Sequence, residues 1–324
     1  MPPASVTKVM TLLLVMEEID GGRLRWSDTV TASAHASSMG GSQIYLKEGE
    51  TMTVEDMVKS VVIASANDCA VALAEHIAGS EEAFVAKMNR RAEEIGMQNT
   101  HFENTNGLDD TAQNHVTSAY DIALMSRALM THESILKYSS TWMDSVRGGT
   151  FGLTNTNRLV RYYQGCNGLK TGSTAKAGFC ISASAARDGM TLICVIMGSP
   201  SRDVRNAAAV SLLDWGFSQY TLWKAEEQKG AKTPILSGVV DEVVLRYPSF
   251  CAVLPKGDAG KVTREIELPE KLSAPLAAGE AVGSVIYRVG EKEIGRVDIC
   301  VEQEVKKIDC LTLWRRLLMK FLLI

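Results

Sequence analysis

The segment from residue 5 to residue 19, SVTKVMTLLLVMEEI, constrains the fold most, because it is strongly apolar over a helical length. Gly21 and Gly22 follow it, and glycines directly after an apolar run are typical of a helix C-terminus. A helix with so few polar residues is buried by other elements on most sides. The 324 residues are enough for one large domain with such a core and a smaller second domain.

The rest of the first two thirds of the chain alternates between helical and strand patterns. Further helices are predicted at 54–78, 81–95, 117–131 and 203–216. Three successive strands are predicted at 169–173, 178–186 and 190–198. The last two are joined by Arg187-Asp188-Gly189, an Asp-Gly hairpin signal. The pattern predicts an α+β domain whose helices surround an antiparallel sheet.

The composition changes after Trp223. Residues 225–235 are expected to be a linker, and the following short β-rich segments predict a small all-β domain. The last fourteen residues, LTLWRRLLMKFLLI (311–324), place Arg315, Arg316 and Lys320 on one side of a helix. Such a helix is about 21 Å long, short of the ~30 Å hydrocarbon core, so it is expected to lie in the plane of a membrane surface. A terminal helix packed on its own domain is the alternative. The expected domains are 1–224, 225–305 and 306–324.

Composition also excludes several functions. A net charge of −4 disfavours nucleic-acid binding. The seven cysteines form no CxxC and the five histidines no HExxH, so no metal is expected. No basic and apolar leader precedes the first helix, and only four residues stand before Ser5. We therefore expect the sequence to be a fragment or to have a mis-assigned start.

Ser5 and Lys8 are candidate catalytic residues. A spacing of three places a hydroxyl and an amine on the same face of a helix. Lysine acts as a base only when burial and neighbouring cations lower its pKa, as expected inside an apolar helix. Ser-x-x-Lys also occurs at Ser134/Lys137 and Ser173/Lys176, so the motif alone is weak.

Two further motifs follow the first in order, Ser65-Ala66-Asn67 and Lys170-Thr171-Gly172. The ordered trio is typical of class A β-lactamases and penicillin-binding proteins. Other segments extend the likeness: GGSQIYLKEGE, SANDCAVALAEHIAG, FENTNGLDD, TNRLV, NGLKTGST and DWGF. The chain resembles the low-molecular-mass penicillin-binding proteins that are D-alanyl-D-alanine carboxypeptidases of peptidase family S11. The β-rich segment and basic tail resemble the stalk domain and anchor of that family.

The resemblance implies a serine β-lactamase/transpeptidase-like fold and the roles of its catalytic residues. Ser5 would be the acylated nucleophile and Lys8 its base. Ser65 would relay a proton to the leaving nitrogen. No metal or organic cofactor is implied. The alternative for Lys8 is a lysine whose stem packs in the core while its amine reaches water.

The resemblance also implies the residues that bind the substrate. Asn67 would hold the substrate amide carbonyl, and Lys170 and Thr171 would face its terminal carboxylate. Gly172 would leave room for the peptide beside the strand, and the backbone N–H groups of Ser5 and Ser173 would form the oxyanion hole. The alternative for these motifs is a purely structural role, as a helix bend and a strand end.

Arg205, ten residues before Trp215, would be the carboxylate-binding arginine of the family. Arg202 is a weaker rival, and an ordinary surface ion pair is the alternative for Arg205. The implied partners are a peptidoglycan stem peptide ending in D-Ala-D-Ala, β-lactams as inhibitors, and a membrane surface contacted by Leu311–Ile324. The implied location of the complete protein is the outer face of the cytoplasmic membrane.

Two other functions remain open at this level. A β-lactamase is disfavoured by Ala66, where class A enzymes typically have aspartate, and by the lack of a convincing glutamate to activate the deacylating water. A non-catalytic protein that binds penicillin or peptidoglycan is disfavoured by the intact trio.

Overall fold

The computed structural model describes residues 1–110 and 112–322, with the exception of the Lys320 side chain. The chain forms two compact units, Met1–Phe217 and Ser218–Ile324. The division falls earlier than the boundary expected after residue 224.

The first unit is a mixed α+β fold. Its helices are α1 (Lys8–Asp20), α2 (Ala34–Ser37), α3 (Val54–Lys59), α4 (Asn67–Ala78), α5 (Glu81–Glu94), α6 (Ala119–Met130), α7 (Ser134–Ser139), α8 (Leu159–Tyr162) and α9 (Arg202–Gln219). Its strands are β1 (Thr29–Thr31), β2 (Thr51–Thr53), β3 (Met143–Val146), β4 (Phe151–Thr154), β5 (Cys166–Thr174), β6 (Gly178–Arg187) and β7 (Met190–Ser199). Strands β5, β6 and β7 form an antiparallel sheet in that order, while β1 pairs with β2 and β3 with β4. The predicted fold class is confirmed.

Helix α1 lies at the centre of this unit. All residues from Lys8 to Met16 are buried, and the helix contacts α4, α6 and β5. It differs from the predicted 5–19 helix at its start, since Ala4–Thr7 form a 3-10 turn before the α-helix begins. It ends at the predicted glycines, and Gly22 adopts a φ of +70°.

The predicted helix 54–78 is wrong in its middle. After α3 the backbone widens into a π-turn over Ser60–Ala64, and Ser65 then adopts a left-handed φ of 66°. Helix α4 begins at Asn67. The apolar pattern is continuous, but π-turns inside helices are frequent at functional sites, and this one places Ser65 at a break.

The β6–β7 hairpin agrees with the prediction. Its turn residues Asp188 and Gly189 have φ values of 51° and 77°. Both are left-handed, as a two-residue type I′ turn requires. The hairpin makes β6 the central strand and leaves β5 paired on one side only.

The second unit is predominantly β. Its strands are β8 (Tyr220–Ala225), β9 (Gln228–Leu236), β10 (Glu242–Tyr247), β11 (Phe250–Pro255), β12 (Val262–Glu267), β13 (Leu272–Ser273), β14 (Ala281–Val289) and β15 (Lys292–Val301). Six of them form a sheet in the order β12-β14-β15-β10-β9-β13, and β8 pairs with β11. The linker expected at 225–235 is wrong, because most of it belongs to β9, which pairs with β10. Its polar composition reflects an exposed strand rather than a coil.

The tail contains a helix, α10 (Cys310–Phe321), capped by the Asp309 side chain. Its apolar residues face outward: Trp314 is 62% exposed and Phe321 85%. Arg316 donates to Asp241 at 3.2 Å. Among the described residues, no helix is both long and apolar enough to cross a membrane. Leu323, Ile324 and the side chain of Lys320, which belong to the predicted membrane-binding segment, lie outside what the structure describes.

Candidate active site

Ser5 and Lys8 meet at the junction of the 3-10 turn and α1. Residues three apart are eclipsed in a 3-10 helix, so the two side chains project from the same side. The Lys8 Nζ lies 2.8 Å from the Ser5 Oγ. The predicted nucleophile and base are therefore in direct hydrogen-bond contact.

Lys8 is fully buried and sits among oxygen acceptors. Its Nζ donates to the Asn67 Oδ1 at 2.5 Å and to the Asn106 carbonyl oxygen at 2.8 Å. Burial, and then the charge of Lys170, hold the pKa of Lys8 well below its ordinary value, whereas Asp68 opposes the shift. A neutral amine has two hydrogens, which the two amide oxygens accept. Its lone pair then faces the Ser5 hydroxyl, the arrangement that a general base needs.

Asn67 has its orientation fixed by a second contact. Its Nδ2 donates to the Gly40 carbonyl oxygen at 2.7 Å, which turns the Oδ1 toward Lys8. The other hydrogen of Nδ2 can still be donated. Ser65 is 4% exposed and lines the same cleft as Ser5. The break between the π-turn and α4 thus brings the second motif beside the first.

Strand β5 supplies the third motif. The Lys170 side chain is buried, its Nζ donates to the Thr171 carbonyl oxygen at 2.8 Å, and burial followed by the charge of Arg205 lowers its pKa to about 7. The Thr171 and Thr156 hydroxyl oxygens are 2.8 Å apart. Because β5 pairs with β6 alone, its other edge is unpaired within the sheet.

Gly172 allows β5 to lie against the nucleophile turn. A Cβ at this position would stand 2.7 Å from the Ser5 backbone nitrogen and 2.9 Å from the Pro3 oxygen and the Val6 nitrogen. All three are backbone atoms that no side-chain rotation can move. The glycine of the third motif is therefore required by close approach, independently of any ligand.

Arg205 lies near the start of α9 and is 2% exposed. Its guanidinium donates to the Cys180 carbonyl oxygen at 3.3 Å and to the Asn206 Oδ1 at 2.8 Å. Burial, and then the charge of Arg202, lower its pKa to about 10. It has no ion pair with any described carboxylate, so the surface ion pair considered above is not what the structure shows.

The motifs meet at one cleft of about 550 Å³. Its walls include six of the predicted residues: Ser5, Ser65, Thr171, Gly172, Ser173 and Arg205. The other three, Lys8, Asn67 and Lys170, are buried and touch residues of that wall or each other.

A sequence profile described as D-alanyl-D-alanine carboxypeptidase, peptidase S11, matches residues 1–201. A second, described as the penicillin-binding protein 5 C-terminal domain, matches 217–307. D-alanyl-D-alanine carboxypeptidase DacF from Bacillus subtilis is 41% identical over 97% of this chain and 82% of its own length. The chain belongs to the peptidase S11 family of D-alanyl-D-alanine carboxypeptidases.

Solved structures of such proteins share the fold over most of the chain. Penicillin-binding protein 5 from Haemophilus influenzae has a TM-score of 0.77 at 31% identity, covering 95% of this chain and 91% of its own. Penicillin-binding protein D2 from Listeria monocytogenes, solved in an ampicillin-bound form, has a TM-score of 0.61 at 30% identity. It covers 67% of this chain and 88% of its own. The resemblance inferred from the motifs is confirmed.

The other two Ser-x-x-Lys motifs of this carboxypeptidase lack the required environment. The Lys137 side chain is 73% exposed and lies 3.7 Å from Glu55. Lys176 is exposed and donates to the Asp109 carbonyl oxygen at 3.0 Å. Neither amine contacts the serine of its own motif among the described hydrogen bonds. Burial therefore distinguishes Lys8 from both.

Sequence reasoning missed the residues that support the site from a distance along the chain. Asn106 lies within the segment FENTNGLDD, so the family likeness pointed to its segment but not to its contact with Lys8. Thr156 is the first residue of the segment TNRLV, and the likeness likewise did not point to its contact with Thr171. His115 carried no signal, and Thr7 lies inside the first motif, which pointed only to Ser5 and Lys8. The His115 Nε2 is 2.8 Å from the Thr7 Oγ1, which donates to the Ala4 carbonyl oxygen at 2.9 Å.

Proposed function

We propose that this carboxypeptidase removes the terminal D-alanine of peptidoglycan stem peptides through an ester on Ser5. The observation that carries the proposal is the hydrogen bond between Ser5 and the fully buried amine of Lys8, whose pKa is lowered. A hydroxyl becomes a nucleophile when an adjacent base takes its proton. Lys8 is poised for this step.

In acylation, the Ser5 Oγ forms a bond to the carbonyl carbon of the scissile D-Ala-D-Ala amide while its proton passes to the Lys8 Nζ. The backbone N–H groups of Ser5 and Ser173 donate to the oxyanion. Ser65 relays the proton from Lys8 to the leaving nitrogen, the C–N bond breaks, and D-alanine departs. In deacylation, Lys8 takes a proton from water as the water oxygen bonds to the acyl carbon. The bond between that carbon and the Ser5 Oγ then breaks, and Lys8 returns the proton to the Ser5 Oγ, which regenerates the hydroxyl.

Substrate binding uses the unpaired edge of β5. An extended peptide adds to this edge as a further strand, with its main chain beside Gly172. Its terminal carboxylate faces Lys170, Thr171 and Arg205, and the free hydrogen of the Asn67 amide donates to a substrate carbonyl. The two buried cations supply charge-assisted hydrogen bonds, which are stronger than neutral ones.

β-Lactams would acylate the same serine, a proposal supported by the ampicillin-bound form of the Listeria relative. Fluorescent penicillin should label the wild-type chain and the Ser134→Ala variant but not Ser5→Ala. Ser134 is the matched control because it heads an exposed Ser-x-x-Lys motif. Release of D-alanine from diacetyl-L-Lys-D-Ala-D-Ala should show the same pattern. Labelling that survives in Ser5→Ala would refute the nucleophile assignment.

We further propose that the complete protein acts at the outer face of the cytoplasmic membrane, with residues 311–324 as its anchor. The exposed Trp314 and Phe321 on α10, beside basic residues, suit an interfacial helix. The first unit would carry catalysis.

Deleting residues 311–324 should reduce binding to anionic phosphatidylglycerol vesicles in a sedimentation assay, while D-alanine release continues. The Arg315→Gln variant should weaken binding by a smaller amount, about 1 kcal/mol for one basic residue near the surface. Neutral phosphatidylcholine vesicles are the control for the electrostatic part. Vesicle binding that the deletion leaves unchanged contradicts the anchor.

A further inference from the structure

The cleft that contains Ser5 is lined by four arginines. They are Arg158, Arg161, Arg202 and Arg205. Neither aspartate nor glutamate is among the lining residues described, although the chain as a whole carries a net charge of −4. A cleft lined by one sign of charge concentrates ligands of the opposite sign. The local excess of positive charge therefore selects for an anionic ligand.

Three of these arginines differ from Arg205 in their environment. Arg205 is buried, whereas Arg158, Arg161 and Arg202 are exposed; we call these three the arginine rim. None of the three has an ion pair within 4.0 Å among the described residues. By contrast, Arg147 lies 2.7 Å from Glu50. The rim guanidiniums therefore have their hydrogen-bonding capacity free for a ligand.

The rim arginines belong to two helices, α8 and α9. The Arg161 guanidinium lies over the Trp142 and Tyr162 rings, 5.4 Å from each centroid. Arg158 is the N-cap residue of α8, three residues before Arg161, and Arg202 is the first residue of α9. Stacking on aromatic rings limits the freedom of a guanidinium without using its N–H groups. Arg161 is thus partly preorganised to donate.

The cations of the cleft repel one another. After burial, which is the largest cause, Arg202 and Arg158 lower the pKa of Arg205, whereas Cys180 and, more weakly than either arginine, Asp203 oppose the shift. Asp203 is not among the residues that line the cleft. Such repulsion is relieved when a bound anion supplies negative charge.

One carboxylate is too small a partner for all these donors. A carboxylate accepts at two oxygens, about four lone-pair sites in total. Lys170, Thr171 and Arg205 already provide more donors than the terminal carboxylate of a stem peptide needs in the function proposed above. The N–H donors of the arginine rim are therefore left without an acceptor when only the terminal carboxylate is bound.

We propose that the arginine rim binds a second carboxylate of the peptide substrate, distinct from its C-terminal one. This inference rests on the proposed carboxypeptidase function and specifies its substrate class: a stem peptide with a carboxylate close to the D-Ala-D-Ala terminus. Bidentate pairing gives arginine its preference for carboxylates over neutral groups. The rim therefore sets selectivity, while Ser5 and Lys8 perform the chemistry.

The test compares two peptides of one length. One is diacetyl-L-Lys-D-Ala-D-Ala. In the other, a succinyl group replaces the acetyl group on the lysine side-chain nitrogen, which adds one carboxylate. At low ionic strength, kcat/KM of the wild-type chain should favour the succinylated peptide by about 10-fold, the size expected of a charge-assisted pair. The preference should fall at least threefold in Arg161→Gln and in Arg202→Gln, and should weaken with added salt.

Arg127→Gln is the matched control, because it removes the same charge from an exposed site on α6 that does not line the cleft. It should leave the preference unchanged. Equal hydrolysis of both peptides by the wild-type chain would overturn the proposal. So would rim variants that lose both peptides equally, since the rim would then serve the terminal carboxylate. Failure to hydrolyse either peptide would instead overturn the proposed function itself.

Discussion

His115 should make this carboxypeptidase unusually sensitive to mild acid. It is 5% exposed, and its Nδ1 accepts from the Glu103 backbone N–H at 3.0 Å. The proton of the neutral ring is therefore on Nε2, which donates to the Thr7 Oγ1. Thr7 in turn donates to the carbonyl oxygen of Ala4. Ala4 directly precedes Ser5 and has a left-handed φ of 50°. If Nδ1 were protonated, its N–H would face the Glu103 backbone N–H, and this hydrogen bond would be lost because both groups are donors.

The size of the effect follows from the pKa of His115. Burial lowers it from 6.5 to about 4. The unfolded chain therefore binds a proton that the folded chain refuses between these values, and stability rises with pH across this window. The stabilisation is complete above pH 6.5 and is lost as the pH falls toward 4. The shift corresponds to about 3 kcal/mol of unfolding free energy.

Urea unfolding at pH 7 and pH 4 tests this, with His115→Gln as the comparison because glutamine does not titrate. Both chains share every other acid-sensitive group, so the difference between their pH dependences isolates His115. The wild-type chain should lose about 3 kcal/mol more than the variant between the two pH values. Equal losses would refute the assignment of a buried, neutral His115.

Two further predictions concern the site. Gly172→Ala should slow acylation by benzylpenicillin at least ~10-fold, because its Cβ would stand 2.7 Å from the Ser5 backbone nitrogen. The control is Gly152→Ala, whose Cβ would meet nothing within 4 Å. Equal acylation rates in the two variants would contradict this explanation. The kcat/KM of peptide hydrolysis should fall as the pH rises through about 7, where free Lys170 loses its charge. In the pH profile of kcat, the same fall should occur at higher pH, since a bound carboxylate raises the pKa of Lys170. A kcat/KM that still rises beyond pH 8 would exclude a charged Lys170 as a substrate-binding group.

The parts of the site that could be predicted from sequence are those fixed by short spacing. Ser5 and Lys8 meet because one turn joins them, and Lys170, Thr171 and Gly172 share one strand. Asn106 could not be found in this way, since its contact with Lys8 spans 98 residues and depends on how the loop that contains Asn106 packs against the start of α1.

Two errors in the fold have a common origin. The π-turn over Ser60–Ala64 continues an apolar helical pattern, and β9 is polar enough to resemble a linker. In each case a backbone hydrogen-bonding arrangement departs from what the side-chain pattern indicates. Hydrophobic periodicity reports which face is buried, and neither a widened turn nor an exposed strand changes that signal in a distinctive way.

The buried cations also suggest why the third motif matters to the first. Burial is the largest cause of the lowered pKa of both lysines; after it, the charge of Lys170 lowers the pKa of Lys8, and the charge of Arg205 lowers the pKa of Lys170. In the free protein Lys170 is close to losing its own charge near neutral pH, which would weaken its hold on Lys8. A peptide carboxylate bound beside Lys170 and Arg205 favours their charged forms. Lys170 then remains a cation, and its charge keeps Lys8 neutral as a base. Substrate binding would thus maintain the protonation states that acylation of Ser5 requires.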